Sequence, residues 1–193
     1  MWVRRCALRP VPPYARVTAR ALAAVRDNLA DNDAEARAQL DQAFERFEQT
    51  QTALAQLVVG TLSKPLDETA LALGYLLTLA VWLGFEQQHG SHMLEVSAEE
   101  LAATEQLLSL DEELRRSDPA EALDSDDVIA MEQPHLLEFV HEQIDSTLGA
   151  HADEIDVDDV HAVYRIVLIE ILALSYAVKQ PGGYPVAKVE LLA

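Results

Sequence analysis

Four stretches of this chain place an acid three residues ahead of a histidine: Glu86-Gln-Gln-His89, Glu132-Gln-Pro-His135, Glu138-Phe-Val-His141 and Asp158-Asp-Val-His161. On a helix this spacing puts both side chains on one face, which is what a shared metal ion needs. Glu170 adds a lone carboxylate. It interrupts the apolar run from Ile166 to Leu174, and its helical neighbours at three and four positions are Ile166, Val167, Ala173 and Leu174, with no cation in reach on its own helix. A carboxylate enclosed there must be protonated, paired or metal-bound, because an isolated buried charge is too costly. The candidate metal donors are therefore Glu132, His135, Glu138, His141 and Glu170, a set suited to iron, manganese or zinc.

Helical di-metal carboxylate enzymes of the ferritin-like kind build centres from such parts, with Glu-x-x-His on two helices and lone glutamates on two others. Other observations weigh against that arrangement. With six histidines among 33 acids, about one such match arises by chance. Glu86 and His89 fall beside Gly90 at a helix end, and Pro134 sets Glu132 and His135 at a helix start. The competing reading of Glu170 gives the core stripe to Val160, Val163, Val167, Ile171 and Leu174 and leaves the carboxylate at its rim, and this is the expected placement. No glycine-rich phosphate loop, GxSxG elbow, HExxH or Walker pattern is present. Cys6 is the only cysteine, so neither an internal disulfide nor a cysteine-built zinc site is available. Asp153, Asp156, Asp158 and Asp159 lack the central glycine and closing glutamate of a calcium loop. They suit a solvated loop and helix cap instead.

Charge gives a second line of argument. The 193 residues carry 14 Lys and Arg against 33 Asp and Glu, a formal charge of −19. That balance opposes sequence-independent binding to nucleic-acid phosphates. It is also unevenly spread. Arg4, Arg5, Arg9, Arg16, Arg20 and Arg26 all precede the first acid, Asp27, so residues 1–26 carry +6 and the rest −25. A basic arm lying across an acidic body, an organelle transit peptide and misassigned upstream sequence are the competing readings. A secretory signal is disfavoured, since Pro10, Pro12 and Pro13 interrupt the stretch after Arg4 and Arg5.

The elements that must position these residues are helices. Prolines at 10, 12, 13, 65, 119, 134, 181 and 185 leave long proline-free runs. Apolar spacing predicts helices over 14–30, from about Asn32 through Phe47, and over 53–62. Ser97 with Glu100 forms a capping box opening a helix through Arg116, with Leu101, Leu107, Leu108 and Leu114 inside. A short segment starts at Asp118-Pro119, Pro134 opens a helix to about Leu148, and Asp156 or Asp158 caps one running to Lys179. Thr69 to Phe85 is uncharged for 17 residues, the lower bound for a bilayer span. It lacks a polybasic flank and suits the buried centre of a bundle, with Gly74 and Gly84 allowing close approach. There is also an internal echo. Gln51 to Val58 aligns with Gln133 to Val140, each followed by an apolar helix bearing a tyrosine, at 24 residues in one case and 31 in the other.

The expectation is an all-α, single-domain bundle of about six to eight helices, with two helical hairpins related by the echo and residues 69–87 and 158–179 at its centre. Residues 1–26 form the basic arm or first helix start, 27–180 the acidic helical domain and 181–193 the tail. The leading functional reading is a non-catalytic, cofactor-free interaction or assembly module of the cytoplasm, its acidic surface meeting a protein partner or a second copy, with no nucleic acid and no membrane span. The alternatives are the metal-dependent helical enzyme and an acidic mimic of nucleic acid that blocks a basic protein.

Overall fold

The computed structural model describes residues 7–30, 34–117, 125–151 and 155–183. These form eight α-helices: α1 (Ala19–Ala30), α2 (Ala34–Thr50), α3 (Thr52–Leu62), α4 (Glu68–His89), α5 (Ala98–Ser117), α6 (Ser125–Glu132), α7 (Pro134–Ala150) and α8 (Val157–Ala177). The two apolar helices α4 and α8 pack on each other at the centre, as their composition requires. Around them the contacts mirror one another: α1 and α7 lie on α4, while α5 and α3 lie on α8. Both central helices are long and apolar enough to cross a bilayer by length and composition alone. Here they are largely enclosed, 72% of the most apolar window of 157–177 being buried against 61% for 68–92.

The caps follow local chemistry. Asp67 accepts from the Ala70 N–H at 2.8 Å to open α4, and Asp156 accepts from the Asp158 N–H at 2.9 Å to open α8. The two caps also grip each other. The Asp156 N–H donates to Asp67 Oδ2 at 3.0 Å, and the Asp67 N–H donates to Asp159 Oδ2 at 2.8 Å. Ser97 and Glu100 make both bonds of the predicted capping box. The absent Cβ of Gly74 lets Leu62 of α3 and Val163 of α8 close on α4, and Gly84 does the same for Leu22 of α1.

The sequence echo has a structural counterpart. Gln51 joins α2 to α3 at φ −134°, ψ 53°, and Gln133 joins α6 to α7 at φ −129°, ψ 61°. Each buried side-chain amide clamps an extended stretch of the other half. Gln51 donates to the Leu94 carbonyl at 3.0 Å and accepts from the Val96 N–H at 2.9 Å. Gln133 donates to the Ala15 carbonyl at 2.9 Å and accepts from the Val17 N–H at 3.0 Å. Most of the uneven glutamine-to-tyrosine spacing is absorbed by α7, 17 residues long against 11 in α3.

These clamps account for one departure from the expected helices. Residues 14–18 are not the start of α1; Pro13–Ala15 is a 3₁₀ turn, and the backbone of Ala15 and Val17 is committed to Gln133. Leu8, Val11, Ala15 and Val17 are all buried. The Ala7 N–H donates to Asp111 on α5 at 2.9 Å, and Tyr176 at the end of α8 donates to the Arg9 carbonyl at 2.7 Å while stacking on the Arg9 guanidinium. Arg16 lies 3.6 Å from Glu132, and Arg26 pairs with Glu142. Two further departures are smaller. Leu114, expected inside, is 40% exposed, and α8 ends at Ala177 because Val178 pairs with Met93 in an antiparallel bridge. Cys6, the cap at Asp31 or Asn32, the Asp118-Pro119 segment, Asp153 and the tail beyond Gly183 lie outside the described residues.

Candidate functional site

The five candidate metal donors are not brought together. Gln133 breaks the chain between α6 and α7, so Glu132 and His135 sit on different helices and lose the shared face that three-residue spacing implies. Glu132 faces Arg16. His135 lies 3.9 Å from Glu138, which is 69% exposed. The ring of His141 meets the Tyr164 hydroxyl at 2.7 Å, turned to a phenol rather than an acid. Glu86 and His89 also part company. Glu86 pairs with Arg46, while His89 hydrogen-bonds the Ala15 carbonyl at 3.2 Å. Among the described residues, no three His, Cys, Asp or Glu side chains gather where they could hold one ion.

Glu170 corrects the rim expectation. It is fully buried, and neither carboxylate oxygen has a hydrogen-bond partner. Seven residues, close to two turns, separate it from Val163, which meets α4 at Gly74, so Glu170 shares the α4-facing side of α8. Desolvation alone pushes its carboxyl well above the ordinary glutamate range, and the group is held as the neutral acid. It borders neither open cavity described below.

The feature with room for a ligand is elsewhere. An open groove of about 630 Å³ runs between α1, α2 and α4. Leu29, Leu40, Phe44, Tyr75, Leu76 and Leu79 supply its apolar surface, and Asp41 and Glu45 stand at its edge. Its origin lies in α4. A helix with no charge from Thr69 to Phe85 has no polar face to turn outward, so wherever the neighbouring helices stop, apolar surface meets water. Ala72 and Tyr75 are exposed there and Leu76 is half-buried, Tyr75 at 42%. The floor is stiffened by edge-on aromatic packing, Tyr75 on Phe44 at 6.0 Å and Phe44 on Phe47 at 6.1 Å, with Phe47 against Trp82 at 5.6 Å. Along α2, Asp41, Glu45 and Glu48 repeat at four and three positions, forming an exposed acidic line beside the groove. None of the three has an ion-pair partner among the described residues.

The other half shows what a closed version looks like. Counted from the caps Asp67 and Asp156, the positions of Ala72, Tyr75 and Leu76 correspond to His161, Tyr164 and Arg165. Tyr164 is engaged by His141, and Arg165 donates to Glu112 at 3.2 Å and to Ser109 at 2.8 Å, fastening α5 over this face. The cavity beside Arg165 is edged by Glu105, Gln106, Ser109 and Glu113. The same scaffold position is thus apolar and open in one half, polar and latched in the other.

Sequence reasoning missed the groove. Its one signal was the length of the uncharged run, with a tyrosine and a leucine adjacent at 75 and 76. Set against known protein families, curated proteins and solved structures, the chain matches none.

Proposed function

We propose that this chain is a non-catalytic protein-interaction module whose α1–α2–α4 groove receives an apolar segment carrying adjacent basic side chains. The observation that carries the reading is the uncovered apolar face of α4 beside the acidic line of Asp41, Glu45 and Glu48. Burial of apolar side chains between Tyr75 and Leu40 supplies the affinity, and the carboxylates select a cationic partner and speed its arrival. The overall charge of −19 acts in the same direction.

The test uses a synthetic amphipathic helix of leucines and lysines, titrated by fluorescence anisotropy. Tyr75→Glu and the pair Asp41→Lys with Glu45→Lys each weaken binding about tenfold or more. Glu99→Lys, on the exposed start of α5, serves as the control for diffuse attraction between opposite charges. Equal losses in the control and the groove variants overturn the reading.

A further inference from the structure

Resting on that reading, we infer that the groove's occupant is the segment Met1–Cys6 of a second copy of this chain. The segment has the required chemistry: Trp2 and Val3 are apolar, and Arg4 and Arg5 follow directly. The other N-terminal arginines are placed differently. Arg9 stacks on Tyr176, Arg16 and Arg26 face Glu132 and Glu142, and Arg20 sits on α1. A tryptophan suits a groove walled by the rings of Phe44 and Tyr75, and a guanidinium beside it suits Asp41 or Glu45.

The path of the chain selects the second copy over the first. Traced backwards, the chain leaves Gln133 at Val17 and Ala15, passes Tyr176 at Arg9 and reaches Asp111 of α5 at Ala7. Ala7 is thus held on α5, whereas the groove lies between α1, α2 and α4. Six residues reach about 20 Å at full extension, enough to enter a neighbouring molecule. Charge also decides the mode of pairing. Groove-to-groove contact between two copies sets one line of Asp41, Glu45 and Glu48 against the other, whereas insertion of Arg4 and Arg5 neutralises it. Donor and acceptor are different surfaces, so the contact is head-to-tail and propagates unless the geometry closes a ring.

Two complementary variants of the full chain test this by sedimentation velocity in reducing buffer, which keeps Cys6 from cross-linking. One carries Trp2→Ala, Arg4→Glu and Arg5→Glu and retains its groove. The other carries Tyr75→Glu, Asp41→Lys and Glu45→Lys and retains its segment. Each variant alone is expected to remain monomeric. Their equimolar mixture forms a one-to-one dimer and nothing larger, because only one productive contact is left. A mixture that stays monomeric overturns the inference. The leucine–lysine helix then separates the two failures: if the segment variant still binds that helix in its groove, only the choice of occupant is wrong, and if it does not, the groove reading falls too.

Discussion

Gln133 and Ser175 are joined inside the core by a 2.9 Å hydrogen bond from the glutamine Nε2 to the serine Oγ, and the same nitrogen donates to the Ala15 carbonyl. One side chain thus ties the start of α7, the end of α8 and the N-terminal stretch. Ser175 also donates to the Ile171 carbonyl at 2.6 Å, so the network is complete at that end. Substituting Gln133 by leucine orphans the Val17 N–H and leaves the Ala15 carbonyl only its longer bond from His89, and the expected loss is about 2 kcal/mol. Ser175→Ala removes a satisfied hydroxyl together with its partner bonds and costs about 1 kcal/mol. Urea unfolding of the two variants, compared at equal slope, measures the difference.

Glu170 makes stability depend on pH. Its folded-state pKa lies above the unfolded value of 4.5, so the folded chain holds a proton that the unfolded chain releases. Stability is therefore fully present below that unfolded value and declines as pH rises towards the folded pKa, by about 1.4 kcal/mol per unit for this one group. Glu170→Gln cannot ionise. It is expected to match the parent chain near pH 4 and to exceed it by a growing margin at higher pH. A margin that does not change with pH contradicts the neutral-acid assignment.

His89 acts at the other end of the scale. Burial lowers its pKa below 6.5, against the raising effect of its bond to the Ala15 carbonyl, and nearby His92 lowers it further. The folded chain prefers the neutral ring. Stability from this group is present above pH 6.5 and lost as pH falls through the folded pKa. Thermal unfolding of His89→Gln should lack the corresponding fall on the acid side, while retaining the alkaline decline due to Glu170.

Two helical glycines should respond oppositely to alanine. A Cβ at Gly74 stands 2.5 Å from Leu62 Cδ2 and 3.2 Å from Val163 Cγ2, and both neighbours are enclosed. Gly74→Ala is expected to destabilise by about 1–3 kcal/mol. A Cβ at Gly60, within α3, meets nothing within 4 Å, and Gly60→Ala is expected to stabilise by about 0.5–1 kcal/mol. Denaturant midpoints give both signs in one experiment.

The helices were legible wherever the signal was local. Pro134, the Ser97–Glu100 box and Asp156 set helix starts through bonds spanning only a few residues. The non-helical stretch at 14–18 was not legible, because the group that captures its backbone is Gln133, more than a hundred positions away. Glu170 failed for a related reason. Its own helix offered a plausible rim, but α3, α4, α5 and α6 together enclose α8, and no one-helix pattern reports that. The metal spacing at Glu132 and His135 misled because the Gln133 junction puts the two residues on separate helices. The groove is a matter of where neighbouring helices end, a property of the assembled bundle, and only the excess of apolar surface on α4 foreshadowed it.

The clamp at Ala15 and Val17 has a consequence for synthesis of the chain. Residues made first are secured by residues made late: Val17 waits for Gln133, 116 positions on, and Arg9 for Tyr176, 167 positions on. The backbone around Leu8, Val11 and Val17, all buried in the folded chain, therefore lacks these anchors while the intervening helices emerge from the ribosome. The two central helices cannot shield each other in that interval either, since α8 follows every other helix among the described residues. Such a nascent chain carries the uncharged run of α4 without α8 to cover it through much of translation, the condition under which a partly made chain is prone to aggregate.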